Sequence, residues 1–383
     1  MKRFLIVILV IFIVGVLLLI NHSTNTTVAT NAALETLLVD DGSYAGFKRA
    51  TEPNAIEFPR DLGSHEDYQT EWWYYTGNLE TEDGRPFGFQ LTIFRRALSP
   101  PDARVMATTN SNYRTNQIYL AHFTISDIAN EEFYATERLS RGAAGLAGAQ
   151  AAPYRVWLED WSVEEIIPGQ VQLQAQTDEV ALNLRLTQTM SPVLHGNGGL
   201  SIKGAEPGNA SYYYSMVQQV AEGDVRIGDE TFGVNGRSWK DHEYSTSALS
   251  PGSVGWDWFS LQFDDHPDAA VLMLFQIRRD DDTLEPASNG SFITNDGQVQ
   301  PLNHADWQIE VLDTWISPTS GATYPAGWRI TIPSIDLMIE GRPLLANQEL
   351  NVSTVYWEGA VDFSGTLGGE PIHAQGYIEM TGY

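Results

Sequence analysis

Cysteine is absent from the 383-residue chain, and basic residues are scarce, with 22 lysines and arginines against 49 aspartates and glutamates. The lack of cysteine excludes disulfides, thiolate nucleophiles, Cys-ligated zinc and an acylated lipoprotein cysteine. The formal net charge of −27 argues against a nucleic-acid partner, because binding to phosphates requires basic surface. It also disfavours docking of the folded surface on anionic lipid.

Motifs of several enzyme classes are missing as well. The chain has neither a G-x-S-x-G elbow nor a Walker loop, so the sequence supports neither an α/β-hydrolase nor a P-loop mechanism. Its eight histidines show no H-x-x-x-H or H-x-H spacing. We therefore expect no cofactor and no metal. One alternative stays open, a metal site assembled in space from His65, His122, His242 and Glu71.

The N-terminus carries the clearest local signal. Lys2 and Arg3 precede an uncharged apolar run at residues 4–20, which as a helix is about 25 Å long, at the short end of a membrane span. No small-x-small cleavage site follows closely, which favours an uncleaved anchor over a signal peptide. The basic pair should remain in the cytoplasm. We expect a transmembrane helix at 1–22, a polar tether at 23–54, and the remainder outside the inner membrane.

The body of the chain shows the period-2 alternation of β-strands. Apolar residues alternate with others at Phe87, Phe89, Leu91 and Ile93, and several later segments repeat the pattern. Turn sequences rich in Gly, Asn and Asp separate many of these segments. Amphipathic helical windows are scarce. The sequence predicts an all-β fold, with sandwiches and barrels as the candidate architectures.

A faint internal repeat indicates two β units. Trp-Tyr-Tyr at 73–75 is followed by Arg-Arg at 95–96, and Trp-Asp-Trp at 256–258 is followed by Arg-Arg at 278–279. A single offset of 183 residues superposes the two spans. Each resembles the opening hairpin of a separate β unit of about 150–190 residues, the two meeting near residues 244–251. A chance match is the alternative.

These and other motifs resemble the carotenoid 1,2-hydratase family, also called AttH-like. The resemblance covers about residues 55–383 and rests on Phe-Pro-Arg-Asp at 58–61, His65, Glu-Trp-Trp-Tyr-Tyr-Thr-Gly at 71–77, Phe-Gly-Phe-Gln-Leu-Thr at 87–92, Ala-His-Phe at 121–123, Trp-Lys-Asp-His-Glu at 239–243, Gly-Trp-Asp-Trp at 255–258 and Gly-Tyr-Ile-Glu-Met-Thr-Gly-Tyr at 376–383.

The resemblance implies two lipocalin-like antiparallel β-barrels in tandem, at 55–246 and 247–383. The family includes hydratases of isoprenoid double bonds and exported proteins linked to ABC-type exporters. The chain departs from the hydratases at Tyr244, where they have tryptophan.

Aromatic side chains near the motif carboxylates are candidate contacts for an apolar ligand inside a small barrel. The alternative is that they fill ordinary cores. The candidate ligand-binding residues are Trp72, Trp73, Tyr75, His122, Trp239, Tyr244, Trp256 and Trp258.

Hydration of an unactivated double bond needs a strong proton donor, and a carboxyl group in an apolar site stays protonated near neutral pH. Aromatic faces then stabilise the developing cation, and a neighbouring base guides water. The candidate catalytic residues are Asp257, Asp241, His242 and Glu71. On a strand, Asp257 points away from the tryptophans beside it, and Asp241 points away from His242. Structural hydrogen bonds or ion pairs, for example with Arg60 or Arg95, are the alternative.

Three functions remain open from the sequence. The leading one is a membrane-anchored exported protein that binds a hydrophobic, lipid- or isoprenoid-like ligand, as a partner of an ABC transporter. The second is a hydratase or hydrolase of an apolar substrate that uses a carboxylic acid as general acid. The third is a structural accessory whose aromatics pack the interface between the barrels.

Overall fold

The computed structural model describes residues 45–104, 115–246 and 249–383. The predicted transmembrane helix at 1–22 and most of the predicted tether lie outside these ranges. Among the described residues, no helix combines the length and apolar character that a membrane crossing requires. The helical elements in these ranges are short, at Arg60–Leu62, Pro101–Arg104, Ile128–Asn130 and Pro333–Ile335.

Two antiparallel sheets account for the strands of the described ranges, which confirms the all-β prediction. The first sheet contains β1 (Thr70–Thr81), β2 (Pro86–Ala97), β3 (Gln117–Asp127), β4 (Glu132–Arg141), β5 (Ala147–Ala151), β6 (Tyr154–Leu158), β7 (Trp161–Ile167), β8 (Gln170–Gln176), β9 (Val180–Gln188), β10 (Val193–Leu194), β11 (Leu200–Ile202), β12 (Ala210–Ile227) and β13 (Glu230–Ser245).

The second sheet contains β14 (Ser253–His266), β15 (Ala269–Arg279), β16 (Asn289–Ile293), β17 (Val299–Asn303), β18 (Gln308–Ile316), β19 (Thr323–Ile332), β20 (Leu337–Pro343), β21 (Glu349–Asn351), β22 (Val355–Leu367) and β23 (Glu370–Met380). Both sheets are barrel-like. The first runs β4-β3-β2-β1-β13-β12-β9-β8-β7-β6-β5, and the second runs β17-β16-β15-β14-β23-β22-β20-β19-β18. The domain boundaries given above stay predictions.

Alternation along the strands gives each sheet its own apolar core. In β9, Val180, Leu182, Leu184 and Leu186 are at most 2% exposed, while their neighbours face outward. These residues join the core of the first sheet, and a second core of the same kind fills the second sheet. Side chains with period 2 bury one face of a strand, so the sequence pattern and the core agree.

The repeat at 73 and 256 corresponds to the first hairpin of each sheet, with one difference. Trp73 pairs with Ile93 across β1 and β2, whereas Trp256 pairs with Ile277 across β14 and β15. The 183-residue offset would match Ile93 with residue 276, so the two registers differ by one. The difference arises between Ser253 and Gly255, where the pairing of β14 with β15 shifts by one residue. Because one residue of shift reverses the side-chain faces, Trp73 and Trp256 point to different environments.

A third apolar cluster joins the two sheets. It contains Tyr74 and Trp239 from the first sheet and Trp258, Val271 and Tyr377 from the second. The outer faces of β1, β12 and β13 thus pack against β14, β15 and β23. This interface contains a pocket lined by residues of both sheets.

Candidate functional site

Strand β13 presents two different polar sets on its two faces. Asp241 and Glu243 point toward the second sheet, and Lys240, His242 and Tyr244 point into the first. This division follows from strand alternation, as the sequence indicated. The two faces form separate environments that share only the backbone of the strand.

A pocket of about 80 Å³ lies between the sheets, on the Asp241 side of β13. Seven of its fifteen lining residues are aromatic and come from both sheets, and four others carry carboxyl groups. Its lining residues are Trp72, Tyr74, Thr92, Phe94, Lys203, Tyr213, Asp241, Glu243, Ser245, Leu249, Trp256, Trp258, Phe275, Glu358 and Glu379. Pockets with apolar walls and a few convergent polar groups are the usual form of small-molecule sites.

Asp241 is held through one of its two oxygens. Its Oδ1 accepts hydrogen bonds from the Ser215 hydroxyl and, at 2.7 Å, from Trp239 Nε1. Burial raises the pKa of the Asp241 carboxyl to about 7, although the hydrogen bonds from Ser215 and Trp239 lower it. A carboxyl group with a pKa in this range can both give and take a proton at neutral pH.

Two further carboxyl groups of the pocket come from the second sheet. Glu379 lies on β23, and burial raises its pKa to about 8, against the lowering effect of a hydrogen bond with Trp256. Glu358 lies on β22, and burial together with the nearby Glu379 raises its pKa well above the ordinary value. The Tyr74 hydroxyl donates to Glu358 Oε2 at 2.9 Å. Near neutral pH Glu379 is therefore mostly protonated, and burial favours the neutral form of Glu358 as well.

One ion pair lies at the same pocket. Lys203 Nζ is 3.0 Å from Glu243 Oε1, with side chains only 7% and 9% exposed. The ammonium group also lies 4.1 Å from the centre of the Phe275 ring, which is a cation–π distance. The negative charge of Glu243 is therefore balanced by the ammonium group of Lys203.

A second polar cluster is buried on the opposite face of β13. Glu71 Oε2 accepts from Arg95 Nε at 2.7 Å, and Glu71 Oε1 lies 2.7 Å from His65 Nδ1 and 2.8 Å from His242 Nε2. The second ring nitrogen of His65 faces Asp61 at 3.0 Å. A ring that faces two carboxylates must donate through both nitrogens, so His65 is an imidazolium.

The pKa values of this cluster follow from its contacts. Burial would raise the pKa of Glu71, but Arg95, His65 and His242 hold it well below its ordinary value. Burial would lower the pKa of His65, but Glu71 and Asp61 raise it. Burial lowers the pKa of His242 to about 4 against the effect of Glu71, so this ring is neutral. The cluster is therefore a network of fixed charges, and its carboxyl groups are ionised and cannot donate a proton at neutral pH.

The same cluster is the candidate metal site of the described residues. The ligand atoms of His65, Glu71 and His242 lie within 4.8 Å of one another. However, Arg95 occupies the other oxygen of Glu71, and its guanidinium would repel a divalent ion. His122, which the sequence alternative included, lies elsewhere, bonded to Tyr356 and Glu137. The hydrogen bonds are complete without a cation, so we assign the cluster a structural role.

Asp257 lies on the face of β14 that points away from the pocket. Its carboxylate accepts from Arg278 Nε at 3.2 Å, Gln276 Nε2 at 3.0 Å and the Tyr383 hydroxyl at 2.8 Å. Burial raises its pKa, while Arg278 opposes that shift. The tryptophans on either side of Asp257 do line the pocket, which is the arrangement that strand alternation requires.

The predicted ligand-binding residues divide between several environments. Trp72, Trp256 and Trp258 line the pocket, and Trp239 donates a hydrogen bond to Asp241 without lining the pocket. The others lie inside the first sheet or beside it: Trp73 stacks on His242, Tyr75 bonds to Tyr154, Tyr244 stacks on His65, and His122 bonds to Tyr356.

Sequence reasoning did not single out Glu358, Lys203 and Tyr213, and it passed over Glu379 although that residue belongs to the C-terminal motif. No local pattern marks Glu358 or Lys203 as part of a site. Glu379 could have been recognised as a candidate site residue from the sequence, because it is an acidic residue in an otherwise apolar and aromatic strand end.

Comparisons with known proteins agree with this architecture. A Nitrosomonas europaea protein assigned to AttH is 32% identical, and the match covers 88% of this chain and all of that chain with a TM-score of 0.76. Kievitone hydratase of Nectria haematococca shares the fold at 14% identity, over 88% of this chain and 98% of its own, with a TM-score of 0.62.

In sequence, the dehydratase asqC of Emericella nidulans is 24% identical over 220 residues, which are 55% of this chain and 60% of that relative. The match therefore spans less than two thirds of the dehydratase. The AttH-like family model matches residues 49–383, which include every strand of both sheets. On that extent of similarity, the chain belongs to the AttH-like family.

Proposed function

We propose that this protein is a hydratase or dehydratase that adds water to, or removes it from, an uncharged apolar molecule in the pocket between the sheets. The observation that carries the proposal is the position of Asp241. A carboxyl group with a pKa near 7 points into a pocket walled by aromatic rings. Acid catalysis at carbon needs this combination of a protonated acid and π faces.

In the proposed reaction, Asp241 gives its proton to one carbon of a double bond, and a C–H bond forms as the π bond breaks. Rings such as Trp256 and Trp258 stabilise the positive charge that develops on the other carbon. Water then forms a C–O bond there, and its surplus proton returns to the Asp241 carboxylate. The protonated carboxyl of Glu379 offers a hydroxyl group that orients the water, and the buried carboxyl of Glu358 lines the same pocket. Dehydration is the same sequence in reverse.

Two relatives support water chemistry over other reactions. The fold is shared with a protein called a hydratase, and sequence similarity extends to one called a dehydratase. The pocket adds the specific support, since its carboxyl groups lie among aromatic rings from both sheets.

The test uses the purified chain with a panel of uncharged substrates, trisubstituted alkenes and the matching tertiary alcohols, in isotopically labelled water. We expect label to enter the product of at least one pair. Asp241→Asn should lower turnover by about a hundredfold or more, since general acid catalysis contributes about 10²–10⁴. Asp127→Asn is the matched control, because Asp127 is a buried carboxylate paired with Arg85 away from the pocket.

Asp257→Asn separates this proposal from the carboxyl group that the sequence favoured. If Asp257→Asn abolishes turnover and Asp241→Asn does not, the interface pocket is not the active site. If the chain retains an apolar molecule in the pocket but the panel yields no labelled product, the protein binds a ligand without transforming it. That outcome would support the binding function and end the enzyme proposal.

We further propose that residues 1–22 anchor the protein in the inner membrane, with the sheets on the outer side and an ABC transporter as partner. The apolar run and the preceding Lys2 and Arg3 support the anchor and its orientation. Protease treatment of spheroplasts should digest the β region while intact cells protect it. Protection in spheroplasts would place the sheets in the cytoplasm.

A further inference from the structure

We infer that His195 is a positioning residue for Asp241. Together with Ser215 it fixes one oxygen of the Asp241 carboxyl group as a hydrogen-bond acceptor, which directs the acidic proton to the other oxygen. The inference rests on the proposed function, because it concerns the acid of the same pocket. Neither the sequence motifs nor strand alternation pointed to His195.

His195 lies in the turn between β10 and β11 and is completely buried. Its Nε2 is 2.7 Å from Ser215 Oγ, and its Nδ1 is 3.0 Å from Ser291 Oγ. The Ser215 hydroxyl in turn contacts Asp241 Oδ1. A single chain of hydrogen bonds therefore runs from Ser291 on the second sheet to the pocket acid on the first.

The direction of each hydrogen bond in this chain is determined by the chemistry of its members. Trp239 Nε1 can only donate, and it donates to the same Oδ1 that Ser215 contacts. The Ser215 hydroxyl donates to Oδ1 as well. An oxygen that accepts two hydrogen bonds is the carbonyl oxygen of a protonated carboxyl, because the hydroxyl oxygen is the weaker acceptor. The one proton of Ser215 is then used, and its oxygen must accept from His195.

The histidine satisfies this requirement as a neutral ring. Burial lowers the pKa of His195 to about 3, so the ring carries one N–H and one lone pair. The N–H is on Nε2 and donates to Ser215, and Nδ1 accepts from the Ser291 hydroxyl. The side-chain polar atoms of His195 and Ser215 are then all paired, and the acidic proton of Asp241 is left for Oδ2.

Other ionisable groups surround Asp241 without replacing this support. They share the pocket with it: Glu243 and Lys203 as an ion pair, Glu358 and Glu379 as buried carboxyl groups with raised pKa values, and the phenols of Tyr74 and Tyr213. Of these, Tyr213 also hydrogen-bonds Asp241. His195 and Ser215 are not among the lining residues of the pocket, and they act on the carboxyl group through Oδ1.

The indole of Trp239 provides a direct readout, because its N–H donates to the carboxyl group whose state is in question. The full chain is labelled with nitrogen-15 tryptophan, and the Trp239 indole signal is assigned with Trp239→Phe. Its chemical shift is followed against pH in wild type, Ser215→Ala, His195→Leu and His195→Gln. His122→Leu serves as control, since it removes another fully buried imidazole that does not contact Asp241.

We expect the wild-type signal to titrate near pH 7. Ser215→Ala removes a donor to the carboxylate and should raise the midpoint by about one unit. His195→Leu should raise it as well, because Ser215 loses the partner that orients its hydroxyl. His195→Gln keeps an N–H donor and should restore most of the wild-type midpoint. If His195→Leu does not fold, Ser215→Ala still tests the series of hydrogen bonds from His195 to Asp241 without altering the imidazole.

An unchanged midpoint in Ser215→Ala or in His195→Leu overturns the inference, and so does an equal shift in His122→Leu. The titration needs no substrate, so its result is separate from that of the labelled-water assay. A positive assay with unchanged midpoints removes the role of His195 and leaves the proposed reaction standing. Shifted midpoints with a negative assay support the positioning of Asp241 in a pocket that performs no hydration.

Discussion

The buried Glu71–Arg95 pair allows a quantitative test of how the first sheet is held together. Both side chains are 0% exposed, and Arg95 Nε lies 2.7 Å from Glu71 Oε2. Glu71→Gln keeps the side-chain volume and removes the charge. Arg95 and the imidazolium of His65 then remain buried without their shared counter-ion. Removing one partner of a buried pair costs about 3–5 kcal/mol of folding free energy.

Urea denaturation followed by tryptophan fluorescence and circular dichroism measures this loss. Glu340→Gln is the matched control, because Glu340 pairs with Arg329 through side chains that are 54% and 37% exposed. Exposed pairs of this kind contribute little, so the control should barely move the unfolding midpoint. A loss below about 1 kcal/mol for Glu71→Gln, or a loss equal to that of the control, would refute the assignment of the cluster as a structural charge network.

Three further predictions concern stability. Because the pKa of Asp241 is raised to about 7, the wild-type protein loses stability as pH rises from about 4 through 7. Above that range, Asp241→Asn should be more stable than wild type. Equal thermal unfolding midpoints of the two proteins at alkaline pH would contradict this prediction. His65 has a raised pKa, so its contribution is complete below about pH 6.5 and is lost as pH rises through the folded value. The stability difference between wild type and His65→Gln should shrink with rising pH, and a constant difference would speak against a charged ring. Lys203→Met leaves Glu243, whose side chain is only 9% exposed, without its ion-pair partner and should cost about 3 kcal/mol or more. Adding Glu243→Gln should recover part of that loss in urea titrations, and no recovery would show that the two do not act as a pair.

Much of the fold could be predicted because its signals are local. Alternating apolar residues such as those of β9 indicate strands with one buried face, and the long tryptophan-rich motifs indicate the family. The repeat also identified the hairpin that begins each sheet. It did not show that the two hairpins differ by one residue in register, since that depends on an irregularity between Ser253 and Gly255.

The site was only partly predictable, and the limit is physical. Alternation correctly assigned Asp241 and Glu243 to one face and His242 to the other. It could not reveal that Glu358 and Glu379, from the far end of the chain, meet Asp241 across the interface. The polarity around a carboxyl group depends on residues that are far away in the sequence, and so does the pKa of that group.

The sequence alone therefore determined the strand pattern, the family and the set of acidic and aromatic residues from which a site could be built. Only the tertiary structure decided that the pocket lies between the two sheets, that Asp241 faces it, and that Glu71 belongs to a closed charge network. The physical reason is that a strand fixes the direction of a side chain relative to its neighbours along the chain. Burial, partners and proton affinity arise from groups that only folding brings together.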